Sequence, residues 1–179
     1  MRIGISCYST FGGSGVVATE VGKALAARGH EVHILSPSLP PRLVGFEDRI
    51  NFHEVRASPY PLFEDAPFSI ALGSKIADVA EHHGLDIIHA HYAVPHAMAA
   101  LLARMAVGNL KVVTTLHGTD ITVVGSDPSY LSMVRMAIRE SDGVTAVSEF
   151  LRQETIRTFG VNRDIEVIGN FVEPPGQER

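Results

Sequence analysis

The sequence predicts an α/β fold in which a doubly wound, mostly parallel sheet carries helices on both faces. Short apolar runs rich in Val and Ile recur along the chain, and segments of helical periodicity separate them. Strands that alternate with helices in this way build parallel β-α-β units. Glycine and polar residues also gather where the apolar runs end, the edge at which such sheets bind ligands.

The elements follow in order. Residues 2–8 (RIGISCY) form a strand that enters a glycine-rich turn, and residues 16–28 form a helix ended by Gly29. Residues 31–35 are a second strand, 36–45 a proline-rich loop, and 51–55 a short strand near the sheet edge. A helix over 67–83 starts with proline in its first turn, capped by Asp65. Residues 86–91 (DIIHAH) are a strand, 95–107 a small-residue helix, and 111–117 (KVVTTLH) a buried strand. Pro128 opens a helix to Glu140, 143–147 are a strand, Ser148 caps a helix over 149–159, and 164–169 are the last strand.

With 179 residues, 45% hydrophobic and 20% charged, the chain has enough apolar material for one well-buried domain. Residues 1–170 are expected to form it, and 171–179 to begin a linker. The net charge of −5 and scattered basic residues argue against a nucleic-acid partner. The longest apolar stretches, such as residues 97–102, are too short to span a bilayer, and the first residues lack a signal-peptide pattern. A single cysteine, Cys7, excludes an intrachain disulfide and suits a reducing cytoplasm; its apolar surroundings predict a buried thiol.

Five loops share the strand-end edge: 9–15, then His91, Tyr92 and His96, then 117–120 (HGTD), then Ser148 and Glu149, then 169–171 (GNF). Gly13-x-Gly15-x-x-Ala18 fits a loose dinucleotide fingerprint, but Ser36 stands where an acidic residue should hold the ribose. Gly22-Lys23 is followed by Ala24 and falls inside a helix, which excludes a P-loop. What remains of the turn is a set of backbone N–H groups at a helix start, suited to an anion, or a tight turn with no ligand. His89-x-His91 with His96 has the look of a metal site, yet no acidic or cysteine ligand completes it. The sequence reading therefore makes His89 a core residue and His91 the polar floor of the crevice. No nucleophile elbow accompanies the histidines, so a hydrolase is not supported.

Five stretches resemble one family in order along almost the whole chain: GGSGVVATEVGKALAARGHEVHIL, DIIHAHYAVPHAMAA, HGTDITVVGSDPSY, SDGVTAVSEFLRQET and IEVIGNFV. They are similar to the N-terminal half of retaining glycosyltransferases with two Rossmann-like domains, the GT-B architecture. The likeness is strongest to the branch that opens bacillithiol synthesis. The resemblance implies transfer of N-acetylglucosamine from UDP-N-acetylglucosamine to L-malate with retention, no cofactor and no metal.

It also implies roles. His117 would be the catalytic residue beside the transferred sugar. Ser14, Tyr92, Thr119, Arg135 and Asn170 would bind the acceptor, while Gly12, Gly13, Gly15, Gly118 and Asp120 would approach the donor. For Arg135, an exposed surface arginine is the competing reading. The partners implied are a UDP-sugar, a small dicarboxylate and a separate C-terminal donor domain; the sequence leaves the oligomeric state open, with a homo-oligomer as one option. The interface to that domain predicts an exposed apolar patch at 170–175, and the isolated half is expected to be inactive. Two alternatives stand: a related transferase with an inositol phosphate or lipid acceptor, and a non-catalytic binding module.

Overall fold

A computed structural model of the chain describes residues 1–9, 13–43, 48–59, 61–62 and 64–172. Among these residues, parallel strands β1 (Arg2–Ser6), β2 (Glu31–Ser36), β3 (Ile50–Glu54), β4 (Ile87–His91), β5 (Lys111–Leu116), β6 (Gly143–Ala146) and β7 (Glu166–Val167) form one sheet. Their order is β3-β2-β1-β4-β5-β6-β7. The predicted doubly wound fold is therefore the one observed, with β3 at the edge as expected.

The helices are α1 (Gly13–Ala27), α2 (Phe68–His83), α3 (Met98–Val107), α4 (Thr119–Thr122), α5 (Pro128–Glu140) and α6 (Glu149–Phe159). Alternation along each strand sorts the core into two layers. Ile5, Val32 and Ile34 face α1, where Ala18 and Ala26 complete a small cluster with the buried Cys7. Burial drives the Cys7 thiol up to about 12, so it stays protonated and inert.

Leu35, Ile88, Val112 and Val144 face the opposite way, into a larger cluster with Leu72 and Ile76 of α2, Ala99 and Ala103 of α3, and Val134 and Ile138 of α5. Truncating a fully buried member such as Ile76 to alanine costs about 3 kcal/mol. α2 and α3 meet closely because Gly73 lacks a Cβ, which would come within 3.2 Å of the Ala99 carbonyl oxygen.

Several boundaries differ from expectation for local reasons. α1 starts at Gly13 instead of Val16. The expected cap on α2 is not made: Pro67 occupies the cap position and no side chain bonds there, so Asp65 has no capping role. The third helix starts at Met98, because Val94 is extended (φ −127°, ψ 129°) and residues 93–97 form an irregular turn. Ser148 caps α6 through Leu151 N–H, as predicted, and α5 opens at Pro128 with Asp127 capping it through Ser129 N–H. β7 is only two residues long. The described part of the expected apolar patch is exposed, with Phe171 at 44% and Val172 at 50%; residues 173–175 lie outside the described residues. No helix among the described residues is long and apolar enough to cross a membrane.

Candidate functional site

The strand order reverses between β1 and β4, and this switch point opens a crevice beyond their C-terminal ends. On the α1 side of the sheet, His89 and His91 of β4, Thr115 of β5 and Thr145 of β6 make a polar floor. The Thr115 hydroxyl bonds both His89 Nε2 (2.6 Å) and the Thr145 hydroxyl (2.8 Å). A cavity of about 430 Å³ lies above it, walled by Val17 and Val21 of α1 and by Ile168–Phe171, including the exposed Asn170. His89 thus lines the cavity and is not a closed core residue, while His91 is the buried floor residue predicted.

Aromatic rings gather at the crevice mouth. His117, just past β5, shares a hydrogen bond with His91 (Nε2 to Nδ1, 2.9 Å). One proton is shared in that bond, so the tautomers of the two rings are linked. Tyr92 stacks on His117 with centroids 5.4 Å apart, and its hydroxyl meets Thr119 Oγ1 at 3.0 Å. Tyr8, just past β1, sets its ring edge-on against Tyr92 and against His96, at 5.6 Å and 4.6 Å.

Tyr92 is held in an unusual conformation, φ 102° and ψ 140°. A non-glycine residue there carries about 1–3 kcal/mol of strain. Its N–H donates to the Thr115 carbonyl and its own carbonyl accepts from Ala97 N–H, both at 3.0 Å, which fixes where the ring points.

The HGTD turn is built by its last residue. Asp120 is fully buried, and its carboxylate accepts from the N–H groups of His117 (3.1 Å), Gly118 (2.9 Å) and Ala93 (3.2 Å). This bolts the β5 loop to the β4 loop. Burial pushes its pKa up, and the three amides oppose that rise. Gly118 has φ +125°, a conformation that favours glycine, and it lets the chain turn under His117. Asp120 therefore shapes the loop.

Burial also lowers the histidine pKa values: His89 to about 4, His117 to about 4, His96 to about 3, and His91 well below its ordinary range. All four are neutral at neutral pH. They bond in pairs or not at all, and do not converge on one point as metal ligands would.

Tyr92, His117, Gly118, Thr119 and Asp120 thus come together at the mouth. Gly13, Ser14 and Gly15 open α1 at the same edge, with Ser14 and Gly15 buried. Gly12 lies outside the described residues. Among the described residues no hydrogen bond ties Arg135 to this group: its Nε donates to the Phe159 carbonyl at the C-terminal end of α6, 2.9 Å away. It caps that helix. Sequence reasoning gave no role to Tyr8, although its place at the end of the first strand marks the same edge.

Known proteins are similar to this chain in sequence and in fold. The pattern of glycosyltransferase family 4 matches residues 11–174. N-acetyl-alpha-D-glucosaminyl L-malate synthase of Bacillus anthracis is 51% identical over 97% of the chain, which spans 46% of that protein. The chain thus covers about half the length of this curated relative. Sucrose-phosphate synthase of Thermosynechococcus elongatus superposes with a TM-score of 0.69 at 16% identity, over 94% of this chain and 47% of its own. HepE of Anabaena, solved in complex with UDP-glucose, does so at 0.66 and 18%, over 95% and 44%. The two structures share the fold. The sequence match covers both the β1–α1 turn and the β5 loop, and the chain belongs to glycosyltransferase family 4.

Proposed function

We propose that this chain is the acceptor-side half of a transferase that moves N-acetylglucosamine from UDP-N-acetylglucosamine to the hydroxyl of L-malate, with retention and without a metal. The observation that carries this reading is the pair of hydroxyls on Tyr92 and Thr119, 3.0 Å apart beside neutral His117 at the switch-point crevice. The 51% identity to a synthase of that name supports it, and the 46% coverage fits a donor domain supplied by further chain.

A dicarboxylate needs hydrogen-bond donors, and two hydroxyls that now bond each other can each turn to a carboxylate oxygen. The start of α1 offers backbone N–H groups and a positive dipole end, suited to the departing diphosphate or to a carboxylate. Retaining transfer without a protein nucleophile depends on that stabilisation and on holding the acceptor oxygen close. His117 is neutral, so it contributes a hydrogen bond to the sugar and no charge. Cys7 takes no part, and the proposed setting is the cytoplasm.

Calorimetry of the chain with L-malate tests the acceptor half. Binding that weakens about tenfold in Tyr92→Phe, a loss of about 1.4 kcal/mol, is expected. No binding of any dicarboxylate overturns the malate assignment. Product analysis with UDP-N-acetylglucosamine and a panel of hydroxy acids, on the chain extended by a donor domain, tests the whole reaction. Turnover with an inositol phosphate but not malate moves the reading to another acceptor.

A further inference from the structure

A second group of histidines lies on the other side of the sheet, under α2. His33 projects from β2, His53 from the edge strand β3, and His83 from the C-terminal end of α2. One ring nitrogen from each lies within 4.8 Å of the other two. Among the described residues this is the one set of three or more His, Cys, Asp or Glu side chains that converges in this way. His33 Nδ1 and His53 Nε2 are 2.9 Å apart, and the His83 ring centroid is 4.5 Å from that of His33 and 5.4 Å from that of His53.

We propose that His33, His53 and His83 form a binding site for a divalent transition-metal ion of the zinc class, which ties edge strand β3 and the end of α2 to β2. Three imidazoles and a water complete a tetrahedral zinc shell. Ligand nitrogens in such a shell sit about 3.4 Å apart, so the His33–His53 pair needs to open by only about half an ångström. The bond between these two rings holds one proton, and no hydrogen bond to the His83 ring nitrogens exists among the described residues.

The surroundings fit a ligand set. His33 is fully buried, and its Nε2 faces Glu31 Oε1 at 3.3 Å. A carboxylate behind a ligating histidine is the usual outer partner of a metal-bound imidazole. Lys75 lies near His53. Arg2 also lies near His33 and donates to the His83 carbonyl. These two cations work against a dication and Glu31 offsets part of their effect, so binding at about the micromolar level is expected.

Titration of the chain with Zn²⁺ alone, followed by the visible spectrum of the Co²⁺ form, tests the site. One equivalent of ion with a tetrahedral cobalt spectrum is expected. His83→Gln, at a half-exposed helix end, and His53→Gln should each weaken binding at least tenfold with unchanged circular dichroism. His82→Gln, next along the helix and exposed, should leave it unchanged. No saturable binding to the parent chain overturns the proposal, as does binding that survives both His53→Gln and His83→Gln. None of these readouts depends on transferase activity.

Discussion

Seven of the nine histidines fall into two clusters, four at the crevice (His89, His91, His96, His117) and three under α2 (His33, His53, His83). Burial lowers pKa values in both. What differs is where the nitrogens point. At the crevice they pair off along a line, His89 with Thr115 and His91 with His117, leaving His117 facing the mouth. Under α2 they point at one another. The same side chain thus serves as a polar floor in one place and as a ligand set in the other. Strand register explains the split: His89 and His91 alternate onto the α1 side, while His33 takes the opposite side with Leu35.

The largest expected effect breaks the crevice and spares the triad. Asp120→Ala leaves three backbone N–H groups without their acceptor in a buried turn, at a cost of about 3 kcal/mol or more. Urea unfolding measures it. Zinc binding at the triad should persist wherever the variant is folded. A loss under about 1 kcal/mol would mean that the carboxylate does not hold the two loops together.

Acid provides the next contrast. His96 is fully buried with neither ring nitrogen hydrogen-bonded, and burial holds its pKa near 3 against about 6.5 in the unfolded chain. Because the folded value is the lower one, protonation favours unfolding. The stability is fully present above pH 6.5 and is lost as pH falls from there toward 3. His96 alone accounts for about 2 kcal/mol of that loss by pH 5. His96→Leu removes the titrating group and leaves no orphaned polar atom, so stability at pH 7 should stay within about 1 kcal/mol. The slope of stability against pH between 6.5 and 5 should flatten. An unchanged slope would assign the acid sensitivity to the other histidines.

These two residues also mark how far the sequence could be read. Alternating apolar runs and helical segments were enough for the sheet, for most helix limits, for the Ser148 cap and for the start of α5 at Pro128, because those signals are local. The crevice residues Tyr92, His117 and Thr119 were legible from their places at strand ends, helped by the family resemblance. The loop-shaping part of Asp120 was not legible, since nothing local shows that its carboxylate reaches the Ala93 amide on another loop. The helix-capping contact of Arg135 was hidden for the same reason: its partner, the Phe159 carbonyl, lies on a different helix. The α2 triad was invisible, because convergence of His33, His53 and His83 depends on β2–β3 register and on where α2 ends.

The smallest effect sharpens the crevice side of the comparison. If the line of histidines exists to aim His117, then cutting it one step back should disturb that ring and little else. His91→Phe keeps a ring of similar bulk under His117 but removes the Nδ1 partner of its Nε2. Loss of one such bond is worth about 1 kcal/mol, so turnover in the chain extended by a donor domain should fall several-fold to about tenfold. Malate affinity should hold, because the Tyr92 and Thr119 hydroxyls that would take its carboxylates are left in place. The ring-nitrogen NMR shifts of His117 give the sharper readout. In the parent chain its tautomer is linked to that of His91; in His91→Phe the shifts should move toward a free mixture of tautomers. Unchanged shifts would show that Tyr92, stacked at 5.4 Å, is sufficient to hold His117 without the bond from below.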